Sequence, residues 1–280
     1  MTVTPRGSVA IAEPHGPFSP WASVRRRPEL LTVPLVFVLL VGGWEAAVRY
    51  LGIEAFILPG PIAVARELAE GIAAGHFTAH TWVTATEMVL GFLIGASLGL
   101  IIGAVVSQFP LVEKTFFAYL VGLQTVPKLA IAPLIVVWFG FGIESKVFIA
   151  ALIVFFPVVI NVIEGFQSTD RRQLDMLRAM GATRWQQFRM VKVPNALPYI
   201  FVGFNIGVVM AILGAVVGEF VGAQEGLGYL ILQYNYQLKI ARVFAILIIL
   251  AVMGITLHTA VKILHRRIVF WRKPDHKIEA

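Results

Sequence analysis

The chain has 280 residues, a formal net charge of +7 and 58% hydrophobic residues, with 14% charged and no cysteine. A soluble domain averages about 25% charged residues, and here residues 88–112, 147–163, 193–218 and 243–261 carry no Asp, Glu, Lys or Arg at all. A disulfide framework and a thiolate metal site are excluded, and runs this long belong to a polytopic membrane protein, because about 20 apolar residues cross a bilayer as a helix.

Residues 1–29 contain five prolines and the cluster Arg25, Arg26, Arg27, and read as a flexible tail. The apolar run from Leu30 leads into "WEAAVRYLG" with no small-residue cleavage site, so a retained first span is expected at about 30–50. Pro59, Gly60 and Pro61 then make a turn. After it, Ile62, Ala65, Leu68, Ala69 and Ile72 fall at helical spacing, with Arg66, Glu67 and Glu70 opposite, which predicts a short surface helix. His76 and His80 are four apart but lack the intervening Glu and third ligand of a zinc hydrolase motif, so no metal site is expected.

The second span is expected at 84–106. Gly91, Gly95, Gly99 and Gly103 line one of its faces and allow close backbone approach, favouring packing within one subunit over a subunit interface. Glu87 stands at its mouth. The third span, 115–138, is interrupted by Lys128, and Pro127 and Pro133 predict a kink or break. The fourth covers 145–167, the fifth 196–221 and the sixth 242–264, with a second tail at 269–280. Glu219 closes an uncharged run. It marks either a solute pathway or buried pair, or an interfacial carboxylate satisfied by Lys239, Arg242 or backbone amides.

Between spans four and five lies "RRQLDMLRAMGATRWQQFRMVKVPNALP". Asp170 can cap a helix over 171–180 and Gly181 breaks it. Thr183 with Gln186 has the form of a capping box opening a second helix, 184–193, which Pro194 is expected to stop. Asn195 is expected to cap span five. Leu174, Leu177, Gly181, Trp185 and Phe188 form one apolar stripe among Arg and Gln. Periodicity leaves two readings open, a helix lying on anionic lipid and a docking element for a cytoplasmic partner.

With the N-terminus in the cytoplasm, seventeen of the 23 Lys and Arg residues fall on that side. The basic balance therefore follows topology rather than nucleic-acid binding. No phosphate-cradling G-x-x-x-x-G-K-[ST] occurs, "GAQEGLGY" lacks the dinucleotide-binding order, and no Ser/His/Asp set stands out, so this chain is not expected to be an enzyme.

The spacing of the polar segment resembles the coupling motif of ABC importer permeases, E-A-A, three residues, Gly, nine residues, Ile-x-Leu-Pro. Asp175, Met176 and Leu177 stand in the first positions, Gly181 is the glycine, and Val191, Lys192, Val193 and Pro194 follow nine residues later. "LPGP" (58–61), "PKLAIAPLIVVWFGFGIESK" (127–146), "NALPYIFVGF" (195–204) and "GEFVGAQEGLGYLI" (218–231) extend the resemblance to the permeases of the nitrate/sulfonate/taurine group. It implies an all-α type I importer permease with six transmembrane helices over 30–268, in a bacterial cytoplasmic membrane with both termini cytoplasmic.

The resemblance further implies that loop 170–194 docks on an ATPase through Asp175, Leu177, Arg178, Gly181, Thr183, Arg184, Trp185, Phe188, Arg189, Val191 and Pro194. One loop per chain implies a homodimer with two ATPase subunits, ATP bound on those chains and no cofactor on this one, and an external solute-binding protein. Glu219, Asn205 and Gln124 are the expected solute-pathway residues. A nitrate-, sulfonate- or taurine-type solute is expected; a thiamine-precursor pyrimidine or another small metabolite is the alternative. An ion-coupled secondary transporter would place ionisable groups deep in several spans, against the charge-free windows.

Overall fold

A computed structural model of the chain describes residues 29–271; apart from Glu29 and residues 269–271, the two expected tails lie outside the described residues. The described residues fall into two compact units, divided between Ile53 and Glu54. The first contributes α1, Glu29–Tyr50. Its apolar side chains from Val33 to Leu40 are exposed, and Arg49 pairs with Glu45 at 2.6 Å.

The second unit contains α2 (Pro61–Ala73), α3 (Thr78–Val106), α4 (Pro110–Gln124), α5 (Lys128–Phe139), α6 (Ile143–Gln167), α7 (Arg171–Ala179), α8 (Arg184–Gln187), α9 (Val193–Phe220), α10 (Leu227–Tyr236) and α11 (Ile240–Ile268). No strand occurs among the described residues. Five stretches are long and apolar enough to cross a membrane: Thr32–Tyr50, Thr78–Val106, Ile143–Gln167, Arg184–Phe220 and Ile240–Ile268. The pair α4–α5 qualifies only jointly, across an 89° bend. The expected kink in span three is thus a full break. Pro127 has no N–H to continue α4, and the Thr125 hydroxyl closes the end by donating to the Gly122 carbonyl at 2.7 Å.

The centre of the unit is α6, and glycine explains why. Extra Cβ atoms on Gly91, Gly95, Gly99 and Gly103 would collide with Ala150, Ala151, Val158 and Val162 of α6. The second-span glycines therefore pack within the subunit, as expected. From the other side, Gly203, Gly207 and Gly214 of α9 lie against Asn161, Val154 and Ala150. Each glycine removes the side chain that would hold two helices apart, so α3 and α9 both close onto α6 through van der Waals contact. Val154, Val158, Ala211 and Ala215 are fully or almost fully buried as a result.

The predicted surface helix forms as α2, starting at Pro61, and Glu67 on it pairs with Arg242 of α11 at 2.7 Å. One boundary departs from expectation. Pro194 does not stop a helix: α8, a π-helical turn at Phe188–Lys192 and α9 run on as one apolar stretch. In that turn the Val193 N–H bonds the Phe188 carbonyl, five residues back. Pro194 falls in the first turn of α9, where a missing N–H leaves no bond unmade. Asn195 consequently lies inside the helix and caps nothing.

Candidate functional site

The polar segment 171–192 connects α6 to α9 within the second unit. The Asp170 carboxylate accepts from the Arg172 N–H at 2.9 Å, fixing the start of α7. Gly181 then takes φ +78°, a left-handed conformation that costs other residues about 1–2 kcal/mol. The expected capping box forms in full: the Thr183 N–H donates to Gln186 Oε1 at 2.7 Å, and the Gln186 N–H to Thr183 Oγ1 at 3.3 Å. Asp175 and Arg178 pair on the exposed side of α7 at 3.0 Å, and Arg184 and Arg189 are exposed.

The apolar stripe divides in two. Leu174, Leu177 and Val191 are half-buried. Phe188 stacks inward on Phe166 of α6 with ring centroids 5.6 Å apart, and Trp185 stacks on Phe188 at 5.6 Å. Trp185 remains 66% exposed, and Met176, Met180 and Met190 are exposed with it. The exposed large apolar side chains of this segment are thus Trp185 and three methionines; the stripe read from the sequence missed the methionines, whose flexible thioethers adapt to a partner's surface.

Two side-chain contacts tie this segment to its neighbours, and a third joins two helices beside it. Asn195 of α9 donates to Gln173 of α7 at 3.1 Å, Lys192 donates to Gln108 after α3 at 3.2 Å, and Gln167 of α6 donates to Glu113 of α4 at 2.7 Å.

At the far end of α9, Glu219 meets Glu87 of α3. Glu219 is 1% exposed, and its Oε1 accepts from the Thr84 hydroxyl at 2.5 Å. The Leu227 N–H donates to Thr84 Oγ1 at 2.8 Å, the Gly228 N–H donates to Glu219 Oε2, and the Gly226 N–H donates to His80 Nδ1 at 3.0 Å. Backbone amides and a hydroxyl satisfy this carboxylate, not Lys239 or Arg242, whose guanidinium is engaged by Glu67. A Cβ on Gly226 or Gly228 would strike the Glu219 carboxylate, which explains the glycines of "EGLGY". Glu87 and Lys146, each 2% exposed, border a cavity of about 450 Å³ together with Glu225.

A second cavity, of about 320 Å³, lies between the α4–α5 break and the middles of α6 and α9. Gln124, Lys128, Phe156 and Met210 line it. Of the three expected pathway residues, only Gln124 is there. Asn205 lies five residues before Met210, its Oδ1 buried without a hydrogen-bond partner. Glu219 is nine residues beyond Met210, about 13 Å along the helix axis.

Comparison with known proteins gives the context for this arrangement. Residues 91–270 match the model of the family described as "Binding-protein-dependent transport system inner membrane component". The chain is 34% identical over 250 residues to the formylaminopyrimidine transport permease protein ThiX of Halalkalibacterium halodurans, covering 89% of this chain and 99% of that one. It is 37% identical to the riboflavin transport system permease protein RibX of Chloroflexus aurantiacus, over 86% of this chain and 90% of that one. Against the putative aliphatic sulfonates transport permease protein SsuC of Bacillus subtilis it is 34% identical, over 86% and 87%. The fold is similar to that of a chain of the MetNI methionine ABC transporter, with a TM-score of 0.59 and 19% identity over 69% of this chain and 95% of that one.

Proposed function

The chain belongs to the family of binding-protein-dependent transport system inner membrane components, the permeases of ABC importers, and from that premise we propose how it works. Two copies form the membrane path, and each presents segment 170–194 to one ATPase subunit in the cytoplasm. ATP binds on those ATPases, and this chain carries no cofactor of its own. A solute-binding protein delivers the solute at the other face, and both termini are cytoplasmic, in keeping with the basic residues of loop 171–192 and of the end of α11.

One observation carries this reading. Exposed Trp185 and the exposed methionines sit on a capped pair of short helices and the turn that follows, with covalent, stacking or hydrogen-bonded links to both α6 and α9. Closure of the ATPases pulls α7 and α8, and the continuous stretch through the π turn passes that displacement into α9. Trp185 and the methionines make the apolar contact; Asp175, Arg178, Arg184 and Arg189 supply polar contacts around it. Gly181 sets the angle between the two short helices, and Thr183 and Pro194 fix where the second begins and joins the span.

For the solute, the likeness to the sulfonate permease supports an anion of the nitrate, sulfonate or taurine type. The likeness to the formylaminopyrimidine permease, at equal identity, supports a thiamine-precursor pyrimidine as a second reading.

The absence of cysteine makes the docking test direct. Single cysteines at Trp185 and Met180 are expected to cross-link to the co-expressed ATPase in membranes, and Gly181→Leu to abolish both cross-links. If neither position reaches the ATPase while the subunits still co-purify, the docking surface lies elsewhere.

A further inference from the structure

Lys128 is a cation in an unusual place. It lines the 320 Å³ cavity opposite Phe156, the fourteenth of the 25 residues of α6, and Met210, near the middle of α9. That places the ammonium close to the middle of the membrane, where a charge facing hydrocarbon is costly and a wet cavity or a partner is required. Its Nζ donates to the Gln124 carbonyl at 3.1 Å and lies 4.5 Å from the centroid of the Phe156 ring. An ammonium has three donors, so two are left for the cavity.

Among the described residues no carboxylate pairs with it: the ion pairs are Arg49–Glu45, Arg178–Asp175 and Arg242–Glu67. The nearest charged residues in sequence are Lys114 and Glu113 on one side and Glu144 on the other, at least fourteen residues away, and the stretches 88–112, 147–163 and 193–218 hold no acid. Glu87 and Glu219 lie level with Lys146, the fourth residue of α6, about 15 Å away along that helix. A second copy related by a two-fold axis along the membrane normal would bring its carboxylates in at that same height.

We propose that Lys128 is a solute-contacting residue: its ammonium, beside Gln124, receives the anionic group of the solute as it passes the middle of the membrane. The class carried is then a small organic anion such as a sulfonate or carboxylate. Phe156 offsets part of the cost of the unoccupied state by cation–π contact, and Met210 gives an adaptable apolar wall. This proposal rests on the permease reading above and selects between its two solute classes.

The test uses the whole transporter, this chain with its ATPase and binding protein, in membrane vesicles. A cysteine at Met210 is reacted with two thiosulfonates of similar size, the anionic sulfonatoethyl and the cationic trimethylammonioethyl reagent. The expected result is labelling about tenfold faster by the anionic reagent, falling to near parity with Lys128→Gln and retained with Lys128→Arg. A ratio unchanged by Lys128→Gln overturns the proposal. So does protection from both reagents in every nucleotide state, because a cavity closed to water passes no solute. Co-purification of the ATPase is scored on the same samples. Its loss in the parent chain with charge-dependent labelling intact defeats the permease reading alone; its retention with no charge dependence defeats Lys128 alone.

Discussion

Asn195, in the first turn of a transmembrane helix, donates a hydrogen bond to Gln173, in the first turn of a helix outside the membrane, at 3.1 Å. The two are 22 residues apart, and the Gly181 bend lies between them. This bond closes a loop through which a pull on α7 reaches α9 without passing through the bend. Replacing Asn195 by Leu removes one net hydrogen bond, about 1 kcal/mol. Uptake per ATP hydrolysed is expected to fall with little change in basal ATPase activity. Gln173→Leu should do the same, and the double variant no worse than either; additive losses would show that the two residues act separately.

The bend itself makes a second prediction. Gly181 has open space around its Cα, so the obstacle to other residues is the backbone conformation alone. Gly181→Asn should keep most transport and Gly181→Val should lose it, since Asn tolerates the left-handed region and a β-branched residue does not. Equal behaviour of the two would mean that this turn is not under conformational constraint in the working transporter.

Packing gives a third. A Cβ at Gly95 meets the Ala151 carbonyl and comes within 2.9 Å of Val154 Cβ, whereas Gly122 has nothing within 4 Å. Gly95→Val is expected to lower the melting temperature of the detergent-solubilised protein, by an overpacking cost of about 1–3 kcal/mol. Gly122→Ala should leave it within error. Thermal unfolding followed by tryptophan fluorescence separates the two.

At the other end, Glu219 and Thr84 hold the loop from Gly222 to Gly226. Thr84→Val keeps the shape but removes the hydroxyl that donates to Glu219 and accepts from the Leu227 N–H. A buried donor without its acceptor costs about 1–3 kcal/mol. Faster proteolysis within 221–226 is expected for this variant, with the 171–192 end unaffected; an unchanged cleavage rate would assign the loop's order to other contacts.

What the sequence disclosed follows from the range of the forces involved. Local rules worked: Asp170, Gly181 and the Thr183–Gln186 box were legible because each acts over two to four residues. The glycine ladder was legible as a packed face, since its four-residue period needs only one helix. Pro194 misled because a proline ends a helix only where an N–H is needed, and a π turn just ahead of it removed that need. Glu219 kept its partners hidden for a different reason. Thr84 is 135 residues away, and nothing in the spacing of either residue points to the other. Lys128 was visible as an interruption, but its depth became clear only when the α4–α5 break set it against the middle of α6.

The two-sided glycine contact on α6 has a mechanical consequence. Ala150 is met by Gly91 from one side and Gly214 from the other, and Val158 by Gly99 and Gly203. Interfaces this flush leave no gap into which one helix can slide past another, so α3, α6 and α9 resist shear and turn as a slab. The compliance that opens and shuts a passage then belongs to the elements outside the slab, foremost the right-angled joint between α4 and α5. Lys128 stands on that joint.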